Sequence, residues 1–177
     1  MAYKIISFIL IVSMMQTFTI FDFNKNEDIS DWIVVDDVVM GGRSSGEFYI
    51  SQEGNAVFEG KVSLENNGGF SSLRYRFDPI STKMYSKVIL RIKGDGKTYQ
   101  FRVKDKSSTY YSYVINFESS GDWQTIELQL SDMYPAFRGR KLNSPNFQSE
   151  NIEEIAILIG NKKEETFKLE IDHIKLK

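Results

Sequence analysis

The chain has 177 residues, the size of one domain, with twenty-two basic against twenty-four acidic side chains and a formal net charge of −2. That balance excludes a global field drawing it to nucleic acid or an anionic membrane. The absence of cysteine excludes disulfides, thiolate catalysis and Cys-type metal sites, and the single histidine, His173, excludes a multi-histidine metal site. Thirteen Phe and nine Tyr among 14% aromatics indicate a β-rich globular domain.

In chain order, the N-terminus carries an apolar run from Ile5 to Met15. It falls short of the ~20 residues that span a bilayer and matches the apolar region of a secretory signal. Residues 1–18 are therefore expected to be a signal peptide or an apolar N-terminal segment, a buried first strand being the alternative, and 19–177 a single β-sandwich domain. The expected location is exported, periplasmic or membrane-associated, with the cytoplasm as the alternative.

The stretch DDVVMGGRSSG, Asp36 to Gly46, supplies a glycine-rich corner. Its two adjacent carboxylates are a weak signal for a hard cation, and turn or capping use is favoured; no metal site is expected. Ala56, Phe58, Val62 and Leu64 then share one face of a strand, and Leu73, Tyr75 and Phe77 face inward in the next, sending Arg74 and Arg76 outward. In KVILRIKGDGKTYQFRVK, Gly94-Asp95-Gly96-Lys97 reads as the turn of a hairpin in which Ile92 meets Tyr99, Leu90 meets Phe101 and Val88 meets Val103. That register gathers Lys87, Arg91, Lys93, Arg102 and Lys104 on one outer face. With Arg74 and Arg76 they read as a basic face that could hold carboxylates, phosphates or an acidic partner segment, a solvated sheet face being the alternative. Gly96-Lys97-Thr98 lacks the spacing and following helix of a phosphate-binding loop.

Further strands are expected at Thr109 to Phe117, Trp123 to Leu130, Glu154 to Ile159 and Thr166 to Leu176, with a long polar connection from Ser131 to Asn151. The run of strands predicts an all-β, jelly-roll-like β-sandwich. Tyr110, Tyr111, Tyr113 and Trp123 are candidate stacking residues if an aromatic platform is exposed. His173 lies in the last strand with no nucleophile at a recognisable spacing, and neither an activated nucleophile nor an acid/base pair is apparent.

Asp37-x-x-Met40-Gly41-Gly42, Asn66-Asn67-Gly68-Gly69-Phe70, Gly94-Asp95-Gly96 and Arg138-Gly139-Arg140 occur in an order and spacing that resembles the complex I intermediate-associated protein 30 family, from about Ile20 to Lys177. The resemblance implies a galactose-binding-domain-like fold and a non-catalytic protein that binds another macromolecule without a cofactor. The family's namesake assists assembly of respiratory complex I, and a plant relative acts on a chloroplast messenger RNA. The long arginine-rich presequence of mitochondrial members is not found here, so a short bacterial-type member is expected.

The implied partner is a protein client, such as a membrane or respiratory complex, with carbohydrate as the alternative ligand and RNA as a second alternative. Asp37, Met40, Gly41, Gly42 and Arg43 in one corner and Asn67, Gly68, Gly69 and Phe70 in the other are expected to converge with Arg138, Gly139 and Arg140 on one recognition surface, Arg74 supplying charge beneath. The competing expectation is that these corners only turn strands.

Overall fold

Alternating apolar and polar residues dictate half-buried strands, and the computed structural model folds them into two stacked antiparallel sheets. It describes residues 16–177, apart from the side chains of Val39 and Met40; the apolar run read as an export signal lies outside the described residues. The strands are β1 (Phe18–Asp22), β2 (Trp32–Asp36), β3 (Ser45–Ile50), β4 (Ala56–Val62), β5 (Ser71–Ser81), β6 (Lys87–Lys93) and β7 (Thr98–Lys104). They continue as β8 (Ser112–Glu118), β9 (Gln124–Gln129), β10 (Tyr134–Phe137), β11 (Arg140–Lys141), β12 (Asn151–Ile159) and β13 (Glu165–Leu176). A six-stranded sheet runs β3-β4-β13-β6-β9, with β1 also on β13, and a seven-stranded sheet runs β11-β10-β8-β7-β12-β5-β2.

The jelly-roll β-sandwich thus stands as expected. Between the sheets lie Phe58, Leu90, Ile92 and Leu169 from one side and Leu73, Tyr99, Phe101, Ile155 and Ile157 from the other, all fully buried. At one edge Trp32 stacks on Tyr75 with ring centroids 4.7 Å apart and packs against Phe21, Phe23 and Phe48. Among the described residues no helix is long and apolar enough to cross a membrane.

The expected hairpin is not formed. β6 pairs with β13 and β9, whereas β7 pairs with β8 and β12 in the other sheet. Val88, Leu90, Ile92, Tyr99, Phe101 and Val103 all point into the core as expected, but from opposite sides of it. Periodicity reports which face is buried; it does not report whether two such faces lie side by side or face to face.

Local bonds at 94–97 make the choice. Asp95 accepts the backbone N–H of Lys168 at 3.0 Å and the Tyr99 hydroxyl at 3.1 Å, and the Lys97 N–H binds the Ser119 hydroxyl at 3.2 Å. Gly94 lies against Ser119 so closely that an added Cβ would meet its Cβ at 2.3 Å. The four residues are therefore a bridge between sheets.

The basic face consequently divides. Lys87, Arg91 and Lys93 lie outside the six-stranded sheet, where Lys87 pairs with Glu127 at 2.7 Å, Lys93 with Glu170 at 3.4 Å, and Arg91 lies over the Trp123 ring. Arg74, Arg76, Arg102 and Lys104 lie outside the seven-stranded sheet, on the opposite side of the molecule.

Candidate functional site

The stretch from Asp36 to Gly46 joins β2 of one sheet to β3 of the other. Asp37 opens a single 3-10 turn, Asp37–Met40, which stops at Gly41 because that residue has φ of 88°, a left-handed conformation disfavoured by a side chain. The Asp37 side chain is fully buried and accepts four hydrogen bonds. The donors are the Ser44 N–H at 3.0 Å, the Ser44 hydroxyl, the Gly69 N–H at 2.6 Å and the Phe70 N–H at 3.2 Å. Ser44 passes the link on by accepting the Ser63 N–H at 3.0 Å, and Asn66 Nδ2 donates to the Gly41 carbonyl at 3.0 Å. Asp36 works in parallel, accepting the Gly46 N–H at 3.0 Å.

The two glycine-rich corners therefore do meet, and they meet around a carboxylate. Gly42 and Gly68 are small because Asp37 occupies the space: a Cβ would lie 2.1 Å from Oδ1 at Gly42 and 2.6 Å from Oδ2 at Gly68. Burial opposes the Asp37 charge and is the largest single influence on it. The bonds from Ser44, Gly69 and Phe70 together outweigh that influence and hold the carboxyl below its ordinary value of 3.8. Arg43 turns outward to an exposed ion pair with Glu65 at 3.2 Å.

Arg138, Gly139 and Arg140 do not join this cluster, which corrects the expected convergence. They follow β10, and four strands separate β10 from β2; at about 4.8 Å per strand the lateral gap alone is roughly 24 Å. The ends differ too. Asp36 lies beside Ser71 and Ile159, whereas Pro135 is level with Tyr113, Val103 and Ile155, four residues further along β12.

Arg138 and Gly139 have φ of 48° and 74° and join the Phe137–Arg140 pair as a two-residue hairpin turn, whose left-handed positions favour Asn-Gly. Arg138→Asn is expected to stabilise the domain by about 0.5 kcal/mol, raising its melting temperature by a degree or two in differential scanning calorimetry.

What the fold does assemble is the outer face of the seven-stranded sheet. Its register lines up Ile33, Arg74, Ala156, Arg102, Val114 and Tyr134 in one transverse row across six strands. Ala156 and Val114 form a buried floor under the longer side chains, and Ile33 stands 55% exposed at the edge. Arg76 is taken by Glu154 at 2.7 Å and Lys141 covers the Tyr134 ring, while Phe137 alternates to the other face of β10, where Tyr110 meets it edge-on at 5.2 Å. The stacking platform is reduced accordingly: Tyr113 is buried against Phe147 and Trp123 belongs to the other sheet, leaving Tyr110 as the well-exposed ring of the four.

The sequence profile described as complex I intermediate-associated protein 30 matches residues 21–171. The chain belongs to the complex I intermediate-associated protein 30 family. A mouse protein named complex I intermediate-associated protein 30, mitochondrial, is 24% identical over 189 residues, which cover 92% of this chain and 57% of that protein. The chain thus spans little more than half the length of this relative. Among solved structures, a family 11 carbohydrate-binding module from Clostridium thermocellum, in complex with a β-1,3-1,4-mixed-linked tetrasaccharide, has a TM-score of 0.69 at 19% identity, covering 90% of this chain and 94% of that one. The same family's module from a cellulosomal cellulase of that organism has a TM-score of 0.69 at 18% identity, over 91% and 94%. At such identities the likeness is one of fold.

In this member of the complex I intermediate-associated protein 30 family, the Asp37-to-Gly42 and Asn66-to-Phe70 motifs hold the sheets together at one corner; among the expected site residues, Arg74 alone lies in the central row of the open sheet face. Sequence reasoning leaves Arg102 and Tyr134 out of the site. The hairpin expectation turns Arg102 outward, as it is, but groups it with Arg91 and Lys93 of the other sheet, and Tyr134 lies in a segment that reads as loop. Among the described residues no group of three His, Cys, Asp or Glu side chains could hold a metal ion, and His173 lies 3.3 Å from Asp172.

Proposed function

We propose that this chain is a non-catalytic binding protein whose β-sandwich holds a protein client while a larger complex assembles, a role that the name of its mouse relative suggests. The observation that carries this reading is the composition of the open sheet face: Ile33, Arg74, Arg102 and Tyr134 in one row. Aromatic residues and Arg are what the centre of a protein interface is enriched in, and Lys and Glu are what it is depleted of.

The test is affinity purification of the tagged full chain from its own cells after mild crosslinking. The expected result is one defined multi-subunit or membrane complex that is lost with Ile33→Asp plus Tyr134→Ala while the circular dichroism spectrum and melting temperature hold. If the double variant retains the same complex at the same yield, this face is not the client's.

A carbohydrate reading is favoured by one observation, the exposed Tyr110–Phe137 aromatic pair on a fold shared with carbohydrate-binding modules. Retardation in gels containing mixed-linkage β-glucan, abolished by Tyr110→Ala, is the result that would put it first. The RNA reading loses one of its two grounds, the basic hairpin, whose halves belong to different sheets, and keeps only the resemblance to a plant relative.

A further inference from the structure

We propose that Arg74 and Arg102 form a receptor for a single carboxylate, seated over Leu158 between Ser72 and Gln100 on the open face of the seven-stranded sheet. Both arginines lie in one register row with Ala156 between them. Arg102 Nε and Nη2 both donate to Gln100 Oε1, at 3.1 and 2.6 Å, and Arg74 Nε lies 3.5 Å from Ser72 Oγ. Ser72, Leu158 and Gln100 are themselves paired across β5, β12 and β7, so both guanidinium groups bend toward the same neighbouring row and flank Leu158 from either side.

Among the described residues neither arginine has a carboxylate partner; Arg43 and Arg76 have one, and of the other unpaired arginines Arg91 and Arg138 lie over aromatic rings. The nearest acid in the adjoining row, Glu154, is already bound by Arg76 at 2.7 Å. Two like charges on a half-buried surface repel each other and lose solvation, and Gln100 and Ser72 offer them acceptors but no negative charge. The Arg102 guanidinium reflects it: burial, then the Arg74 charge, lower its pKa to about 10. An anion placed between the two groups would reverse both effects, and the fixed guanidinium planes present paired N–H donors of the kind a carboxylate accepts.

A carboxylate fits better than a polyanion. The chain carries a net charge of −2, and a nucleic-acid strand laid along the face would bring further phosphates against Glu154 in the adjoining row. The apolar floor of Ala156, Leu158 and Val114 suits the methylenes of a Glu or Asp side chain. The receptor stands on side-chain geometry alone; assigning its carboxylate to an acidic side chain of the client rests on the client-binding reading above.

The test is titration of the full chain with a capped Gly-Glu-Gly peptide at constant ionic strength, following the arginine Nε–H signals by NMR. Saturable shifts of Arg74 and Arg102 are expected, with affinity at least tenfold weaker in Arg102→Gln and unchanged in Arg91→Gln on the opposite sheet. Arg102→Met is expected to melt at a higher temperature than the native chain and yet fail to bind, a combination that a merely structural arginine would not give. An equal response to capped Gly-Gln-Gly, no saturation, or inorganic phosphate binding more than tenfold tighter than the glutamate peptide would overturn the receptor. Client retained in full by the Arg74→Gln, Arg102→Gln double variant would overturn assignment of the carboxylate to the client. A native chain that captures no client defeats the functional reading and leaves the titration to decide the receptor.

Discussion

Asp37→Ala is expected to lower the unfolding free energy by about 4 kcal/mol, read as a melting temperature roughly 10 °C lower and a reduced urea midpoint at unchanged slope. The substitution strands three backbone N–H groups, those of Ser44, Gly69 and Phe70, together with the Ser44 hydroxyl. A buried donor left without an acceptor costs about 1–3 kcal/mol, and partial access of water to a collapsing corner brings the total below the simple sum. Asp37→Asn keeps the shape but turns a two-oxygen acceptor into one oxygen and a donor, and is expected to cost about half as much.

The acid side gives an independent reading of the same carboxylate. Its folded pKa lies below the ordinary 3.8, so the native state holds its proton less tightly than the unfolded chain does. The resulting stability is fully present above the unfolded value and is lost as pH falls from there through the lower folded value. Denaturation curves from pH 6 to pH 2.5 should therefore fall less steeply below pH 4 in Asp37→Asn than in the native chain. Parallel curves, or a cost under 1 kcal/mol for alanine, would show that Asp37 is not what joins the corners.

How far the sequence foretells this arrangement depends on the range of each interaction. Faces are legible: Ala56, Phe58 and Val62, or Leu73 and the strands around Leu90 and Phe101, show their burial in period-two alternation within a few residues. Partners are not, because Ile92 and Tyr99 satisfy the same pattern whether they pair in one sheet or face each other across the core. The strands β10 and β11 are short and carry Pro135 and two left-handed turn residues, so they read as loop.

The candidate site is less legible for a further reason. Asp37 finds its donors 7, 32 and 33 residues away, and the pairing of Arg74 with Arg102 exists only once β12 lies between their strands. A motif conspicuous in sequence, the two glycine-rich corners, turns out to hold the fold. The outward arginines of alternating strands turn out to stand in one row of the open sheet face without a carboxylate partner.

Gly41 and Gly42 separate these two meanings of a glycine motif. Gly42→Ala is expected to cost about 3 kcal/mol, because the new Cβ would lie 2.1 Å from Asp37 Oδ1 and 2.4 Å from its Cγ and must push the carboxylate off its donors. Gly41→Ala meets nothing within 4 Å, so its cost is confined to the left-handed backbone at φ of 88°, about 1 kcal/mol. Asparagine at Gly41 should recover most of even that, since it tolerates the conformation.

The decisive comparison is the double variant. In an Asp37→Ala background the carboxylate atoms that the added methyl of Gly42→Ala would strike are gone, so the second substitution should add little and the two costs should be strongly non-additive. Equal costs at Gly41 and Gly42, or full additivity of Gly42→Ala with Asp37→Ala in urea unfolding, would mean that the corner is shaped by backbone preference and not by the carboxylate at its centre.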